Sequence, residues 1–201
     1  MKSSLTIVGF FILGILLSIY ALIPKFLLES DFSSYVLYVL MFFVGISIGA
    51  DKDVLKILKG VKLKIILVPL SVIIGTFIGI GFTSVFIPDI SLKEALAVGA
   101  GFAYYSLSSI IITQLNSEML GVIALLSNIF REIITLLTAP LLVKHFGKLA
   151  PIASGGATSM DTTLPIITKF TGKEYAIIAV FSGVVLTILV PFLVTFILTW
   201  L

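Results

Sequence analysis

The chain has 201 residues, 59% hydrophobic and 11% charged, with a mean hydropathy of +1.26; soluble domains carry roughly 25% charged residues, so a soluble fold is excluded in favour of an all-α integral membrane protein. The formal net charge of +3 does not argue for nucleic-acid binding, because the densest run of basic residues, five of thirteen, lies in one loop beside an apolar segment. The lack of cysteine removes disulfide and thiolate chemistry, a single histidine is too few for a zinc site, and neither metal nor cofactor is expected.

Seven apolar segments follow one another. The first, Leu5 to Ile23, follows a lysine as a signal peptide would. Its apolar run is too long, however, and no small-residue cleavage site precedes Lys25, so a retained membrane helix is expected. The second is Tyr35 to Ala50. The loop Asp51 to Lys64 then carries Lys52, Lys56, Lys59, Lys62 and Lys64, which the positive-inside rule makes cytoplasmic together with the N-terminus. The third segment, Ile65 to Ile87, ends outside near Pro88.

The fourth segment, Ala95 to Thr113, contains GAGFAYYSLSS from Gly99; the fifth runs from Met119 to Val143. If both crossed completely, Lys144 and Lys148 would lie outside, against the rule. A fourth segment that dips in from outside and returns removes the conflict. By the same logic the sixth, Leu149 to Phe170, enters from inside and returns at Lys169 and Lys173, and the seventh, Tyr175 to Leu201, leaves the C-terminus outside. The expected architecture is a helical bundle with five full spans and two oppositely oriented re-entrant, broken segments. The competing reading is seven complete spans. Both put Asp161 within the membrane.

An internal repeat favours the first reading. A shift of 55 positions lays Ser109 to Asn128 over Leu164 to Gly183, and Ile111, Ile112, Thr113, Ile123, Ala124 and Ser127 meet identical residues. A glycine-rich interrupted stretch precedes each copy. A re-entrant segment followed by a span, twice in opposite orientation, is an inverted repeat of the transporter kind. Residues 1–94 are then scaffold or oligomerisation helices, and 95–146 and 147–201 the two transport units, within one transmembrane domain.

Candidate chemistry concentrates in the sixth segment, where ASGGATSMDTTLP places Asp161 among Ser159, Thr162, Thr163, Gly155, Gly156 and Pro165. Irregular backbone survives at membrane depth only where protein or water covers it, and an ionisable group there is a functional-site candidate. Low dielectric favours the neutral form of a carboxyl group, which suits Asp161 to exchanging a proton. The competing role is an N-cap on a half-helix beginning at Thr162. In the fifth segment Asn128 and Glu132 share a helical face, with Arg131 beside them, either holding Glu132 ionised or bridging elsewhere. The fourth segment offers Tyr104, Tyr105 and Ser106, with Ser106 in the repeat position of Asp161, and Gly99 and Gly101 for close backbone approach. Intramembrane proteolysis lacks its residues: no second positioned aspartate, no H-E-x-x-H and no histidine beside Ser154.

SGGATSMDTTLP, with NIFRE in the preceding helix and GAGFAYYSLSS before that, closely resembles the lysine exporter family of bacteria and archaea over nearly the whole chain. The resemblance implies efflux of L-lysine and its toxic analogue thialysine across the cytoplasmic membrane in exchange for protons, with intramembrane acids at Glu132 and Asp161. Longer members look as though they carry a further N-terminal block of three segments. The resemblance therefore implies a transport unit larger than a monomer, a homo-oligomer or an assembly with a small membrane subunit that supplies that block. The expected mechanism is alternating access, with lysine held near the midplane where the two broken tips meet.

Overall fold

A computed structural model describes residues 63–201 continuously and, before them, only positions 13, 14, 16, 17, 19, 20, 35, 39, 42 and 46. The first two apolar segments as units, the lysine-rich loop and the side on which the N-terminus lies fall outside the described residues. The described part is all-helical. Three of its helices are long and apolar enough to cross a membrane: Ile65–Ser84, Glu118–Phe146 and Lys173–Trp200.

Helix α1 (Leu63–Ser84) is apolar nearly throughout, and three of its hydroxyls donate to carbonyls one turn back, Ser71 to Val68, Thr83 to Gly79 and Ser84 to Gly81. Only 11% of its apolar window is buried, against 44% and 50% for the other two long helices, so α1 lies at the periphery of the described helices. The chain then turns into α2 (Leu92–Gly99). Ser91 caps its start, and Glu94 reaches back to the Ser91 amide in a reciprocal capping box.

The fourth segment is interrupted as expected. After α2 the backbone breaks over residues 100–104 and resumes as α3 (Tyr105–Leu115). Phe102 and Ala103 at the break adopt φ of 44° and 72°, a left-handed conformation that L side chains rarely take. Asn116 Nδ2 donates to Glu94 Oε1 at 3.4 Å, so the segment's two ends lie together. The halves hold 8 and 11 residues. At ~1.5 Å per residue each covers about half of a ~30 Å hydrocarbon core.

Helix α4 (Glu118–Phe146) starts at Ser117, whose hydroxyl accepts from the Leu120 amide, and ends with Lys144 and His145 in its last turn and Gly147 at φ 86°. The sixth segment is interrupted too. It consists of α5 (Ala150–Gly155), a 3-10 turn (Gly156–Met160), an irregular stretch, and α6 (Leu164–Thr171). Its ends also meet, through a 3.6 Å ion pair between Lys148 and Glu174 and the Lys148 ammonium over the Tyr175 ring. A short 3-10 turn (Lys173–Tyr175) leads into α7 (Ala176–Trp200).

α3 packs along α4, while α7 lies against the 3-10 turn of the sixth segment, α3 and α2. The largest core cluster contains the tips of both interruptions, Phe102 and Ala157, with Leu107, Ile112, Ala124, Leu186 and Val190 around them. The two broken segments therefore meet in the middle of the fold. Gly156 shows how close they are. It has φ 59°, and a Cβ placed there would stand 2.4 Å from the Phe102 carbonyl oxygen. Gly156→Ala should lose ~2–4 kcal/mol from the clash and the left-handed backbone together, visible as a lower thermal unfolding midpoint in detergent. A variant as stable as the parent would contradict the close approach.

Candidate functional site

A helix that stops inside a membrane leaves backbone groups without partners, and the two interruptions solve this with side chains from α4. In the first, Asn128 Oδ1 accepts from the Ala103 amide at 2.7 Å, while Nδ2 donates to the carbonyls of Ala124 at 2.9 Å and Val98 at 3.2 Å. Gly101 leaves room for that amide, since a Cβ there would lie 2.6 Å from Asn128 Nδ2. In the second, Arg131 Nε donates to the Ser154 carbonyl at 2.9 Å and Nη2 to that of Ala153 at 3.1 Å. Nη1 donates to Thr76 Oγ1 on α1 at 3.3 Å. The two breaks are tied to each other as well, the Ala157 amide donating to the Phe102 carbonyl at 2.8 Å.

The polar residues of the sixth segment then fall into place. Ser159 Oγ lies 2.7 Å from the Gly156 carbonyl and 2.9 Å from that of Ala179 on α7, which anchors the 3-10 turn. Thr163 is fully buried at the N-cap of α6, its Oγ1 3.4 Å from Thr158 Oγ1, and Gly155 admits it: a Cβ on that glycine would stand 2.8 Å from Thr163 Oγ1. Pro165 occupies the first turn of α6. Asp161 is not the helix cap. It lies two residues before Thr163, on the irregular stretch, with its side chain exposed and its carboxylate accepting from the Thr162 amide.

Glu132 is fully buried on the inner face of α4 with Asn128 and Thr135, and close enough to Asp161 for their charges to interact. Tyr104 is likewise within electrostatic reach of Asp161. Tyr105 is buried and packs with Leu125 and Ile129. Ser106, half-buried, opens α3, and Gly99 faces α1, where a Cβ would overlap Ile80 Cδ1. Neither α3 nor α6 has a side-chain cap on its first turn. Their N-terminal amides carry partial positive charge.

Sequence reasoning missed several supporting residues. Thr76, Thr135 and Ser154 are ordinary hydroxyls in apolar helices, yet Thr76 meets Arg131, and Thr135 Oγ1 lies 2.6 Å from Ser154 Oγ. Gly183 admits the second break, since a Cβ there would stand 2.7 Å from Met160 Cβ and 2.8 Å from the Ala157 carbonyl. A signal existed for it, because the repeat pairs Gly183 with Asn128, the brace of the first break.

Two interrupted helices crossing tip to tip, an acidic residue on one break and a buried glutamate beside it describe a polytopic membrane protein built around a polar centre. The profile of the family described as "Lysine exporter LysO" matches residues 8–198. The chain belongs to that family, whose members are transporters rather than enzymes. A Haemophilus influenzae protein named "Putative lysine exporter" is 39% identical over 166 residues, covering 81% of this chain and 82% of its own length. "Lysine exporter LysO" of Escherichia coli K12 is 33% identical over 167 residues, covering 83% of this chain but 55% of its own length. This chain thus spans about half of that longer relative. No solved structure matches.

Asn128→Leu, close in volume, would strand the Ala103 amide in an apolar interior and leave the Val98 carbonyl with only its bond from the Gly101 amide. A stranded buried donor costs ~1–3 kcal/mol. A loss of at least ~1 kcal/mol in detergent denaturation is expected, and an unchanged midpoint would contradict the bracing role.

Proposed function

We propose that this chain exports L-lysine, and thialysine with it, from the cytoplasm in exchange for protons, by alternating access about the crossing of its two interrupted segments. The reading is carried by Asp161, which stands on an irregular stretch between apolar helices, with Glu132 buried on α4 within reach of its charge. Membership of the lysine exporter family, and the names its relatives bear, support lysine as the substrate.

The inverted-repeat reading draws support from three contacts. Each broken segment has its two ends together, by the Glu94–Asn116 bond in one and the Lys148–Glu174 pair in the other, as hairpins that return to the face they left would require. α4, which joins them, is 29 residues long, enough to carry the second hairpin to the opposite face. The tips touch at Phe102 and Ala157, residues one repeat length apart, as a pseudo-two-fold axis through that point demands. On that reading the chain makes five spans and two re-entrant hairpins, with the C-terminus outside.

Substrate chemistry fits this centre. Asp161 and Glu132 address the ammonium groups of lysine, Tyr104 lends a ring face and hydroxyl, and the uncapped first turns of α3 and α6 attract its carboxylate. Lysine carries one net positive charge, so expelling it against an inside-negative potential costs about 2.3 kcal/mol per 100 mV. One proton moving inward cancels that charge. A proton arriving at the acidic pair from outside displaces the ammonium group and resets the carrier. The transport unit holds a second copy or a small membrane subunit, in keeping with the longer relative of which this chain spans about half.

Asp161→Asn should abolish lysine-dependent proton movement in proteoliposomes containing a pH-sensitive dye. Full retention of coupled transport refutes the assignment, and proton release on adding Na⁺ but not lysine identifies a cation–proton antiporter instead.

A further inference from the structure

The repeat makes a specific demand that the chain meets in an unexpected way. Asn128 caps the carbonyl end of the first half-helix by donating to Val98, and a shift of 55 carries Val98 to Ala153. The Ala153 carbonyl is capped as well, but not by the repeat partner of Asn128, which is Gly183 and has no side chain. Gly183 cannot be enlarged, because the second break presses against it. The cap comes instead from α4 again, one helical turn beyond Asn128, as the guanidinium of Arg131. One helix therefore braces both interruptions, the first with an amide and the second with a cation.

Arg131 is committed to this task. The edge formed by Nε and Nη2 is occupied by the Ser154 and Ala153 carbonyls, and Nη1 by Thr76 Oγ1. A cation at a carbonyl end complements the negative pole of α5 and supplies stronger hydrogen bonds than an amide would. The backbone of the break lies directly beyond, since a Cβ on Gly156 would be 3.4 Å from Nη2. A substrate carboxylate seeking the same fork would have to displace all of these partners.

We propose that Arg131 is a positioning residue: it caps the carbonyl end of α5, ties it to α1 and α4, and so fixes where the stretch bearing Asp161 lies, without holding substrate. Its consequence for transport rests on the lysine-export reading above; the cap itself does not. Removing the fork loosens the hold on the break, which slows turnover while every side chain that meets lysine is retained.

Lysine transport in proteoliposomes by the parent, Arg131→Met and Arg131→Gln gives the test. Arg131→Met should lower Vmax at least ~10-fold with KM within ~3-fold, and Arg131→Gln, which keeps two N–H donors, should recover Vmax to within ~3-fold of the parent. A rise in lysine KM of ~10-fold or more with Vmax intact would make Arg131 a substrate ligand and overturn the proposal, as would parental Vmax in Arg131→Met. If Arg131→Met does not accumulate as a monodisperse protein, Arg131→Lys replaces it. Its charge without the fork should still depress Vmax at constant KM, and a raised KM at parental Vmax overturns the proposal in the same way. A second measurement needs no lysine: a single thiol from Thr162→Cys in this cysteine-free chain should react with maleimide faster when Arg131→Met is added, and at the parental rate with Arg131→Gln. Unchanged labelling in Arg131→Met removes the cap, whereas a parent that moves no lysine but shows this labelling pattern defeats only the export reading.

Discussion

Helix ends inside a bilayer must find hydrogen-bond partners within the protein, because lipid offers none. The architecture around the centre of this chain follows from that requirement applied twice. The Ala157 amide is satisfied by the Phe102 carbonyl, so each interruption supplies part of what the other lacks. Further groups at the breaks are met by α4, through Asn128 at one break and Arg131 at the other. Glycine at 156 and 183 is then a steric consequence, since any Cβ would drive the two tips apart or push the second break off α7.

The same arrangement links packing to transport. Phe102 and Ala103 are held in a left-handed conformation that costs of order 1–3 kcal/mol per residue, and the contacts that hold them come from the other break and from α4. A movement that relieves one break must therefore disturb the second. That coupling is what a carrier needs if binding at Asp161 and Glu132 is to be felt at the outer and inner mouths in turn. The ends of each broken segment are joined by modest polar contacts, Glu94 with Asn116 and Lys148 with Glu174, the second an exposed pair of the kind that contributes little stability.

Much of this was legible in the sequence because the signals were backbone signals. Glycine-rich, hydroxyl-rich stretches inside apolar segments gave the two interruptions, whose breaks fall at 100–104 and after Gly155, within the quoted motifs. The bounds of the long helices agree with the apolar runs to within a few residues, since hydropathy reports them directly. The shift of 55 placed Asn128 opposite Gly183. What it could not convey is which neighbour each side chain selects. Arg131 adjoins Glu132 in sequence, but its guanidinium reaches the α5 carbonyls, because consecutive helical residues point about 100° apart. Tyr104 and Tyr105 adjoin in sequence, and composition does not convey that Tyr105 is the one packed against Leu125 and Ile129. The N-cap role for Asp161 gave way to Thr163, because α6 starts two residues later than the sequence suggested.

The account rests on two hairpins that open to opposite faces of the membrane and meet at their tips. Single cysteines at Asn116 and at Lys148, probed with an impermeant maleimide in intact cells and in inverted vesicles, test that most directly in a chain with no native thiol. The account predicts that Asn116→Cys reacts only from outside and Lys148→Cys only from the cytoplasmic side. Labelling of Asn116→Cys from the cytoplasm, or of Lys148→Cys from outside, would show that the broken segments cross the membrane completely and would contradict it.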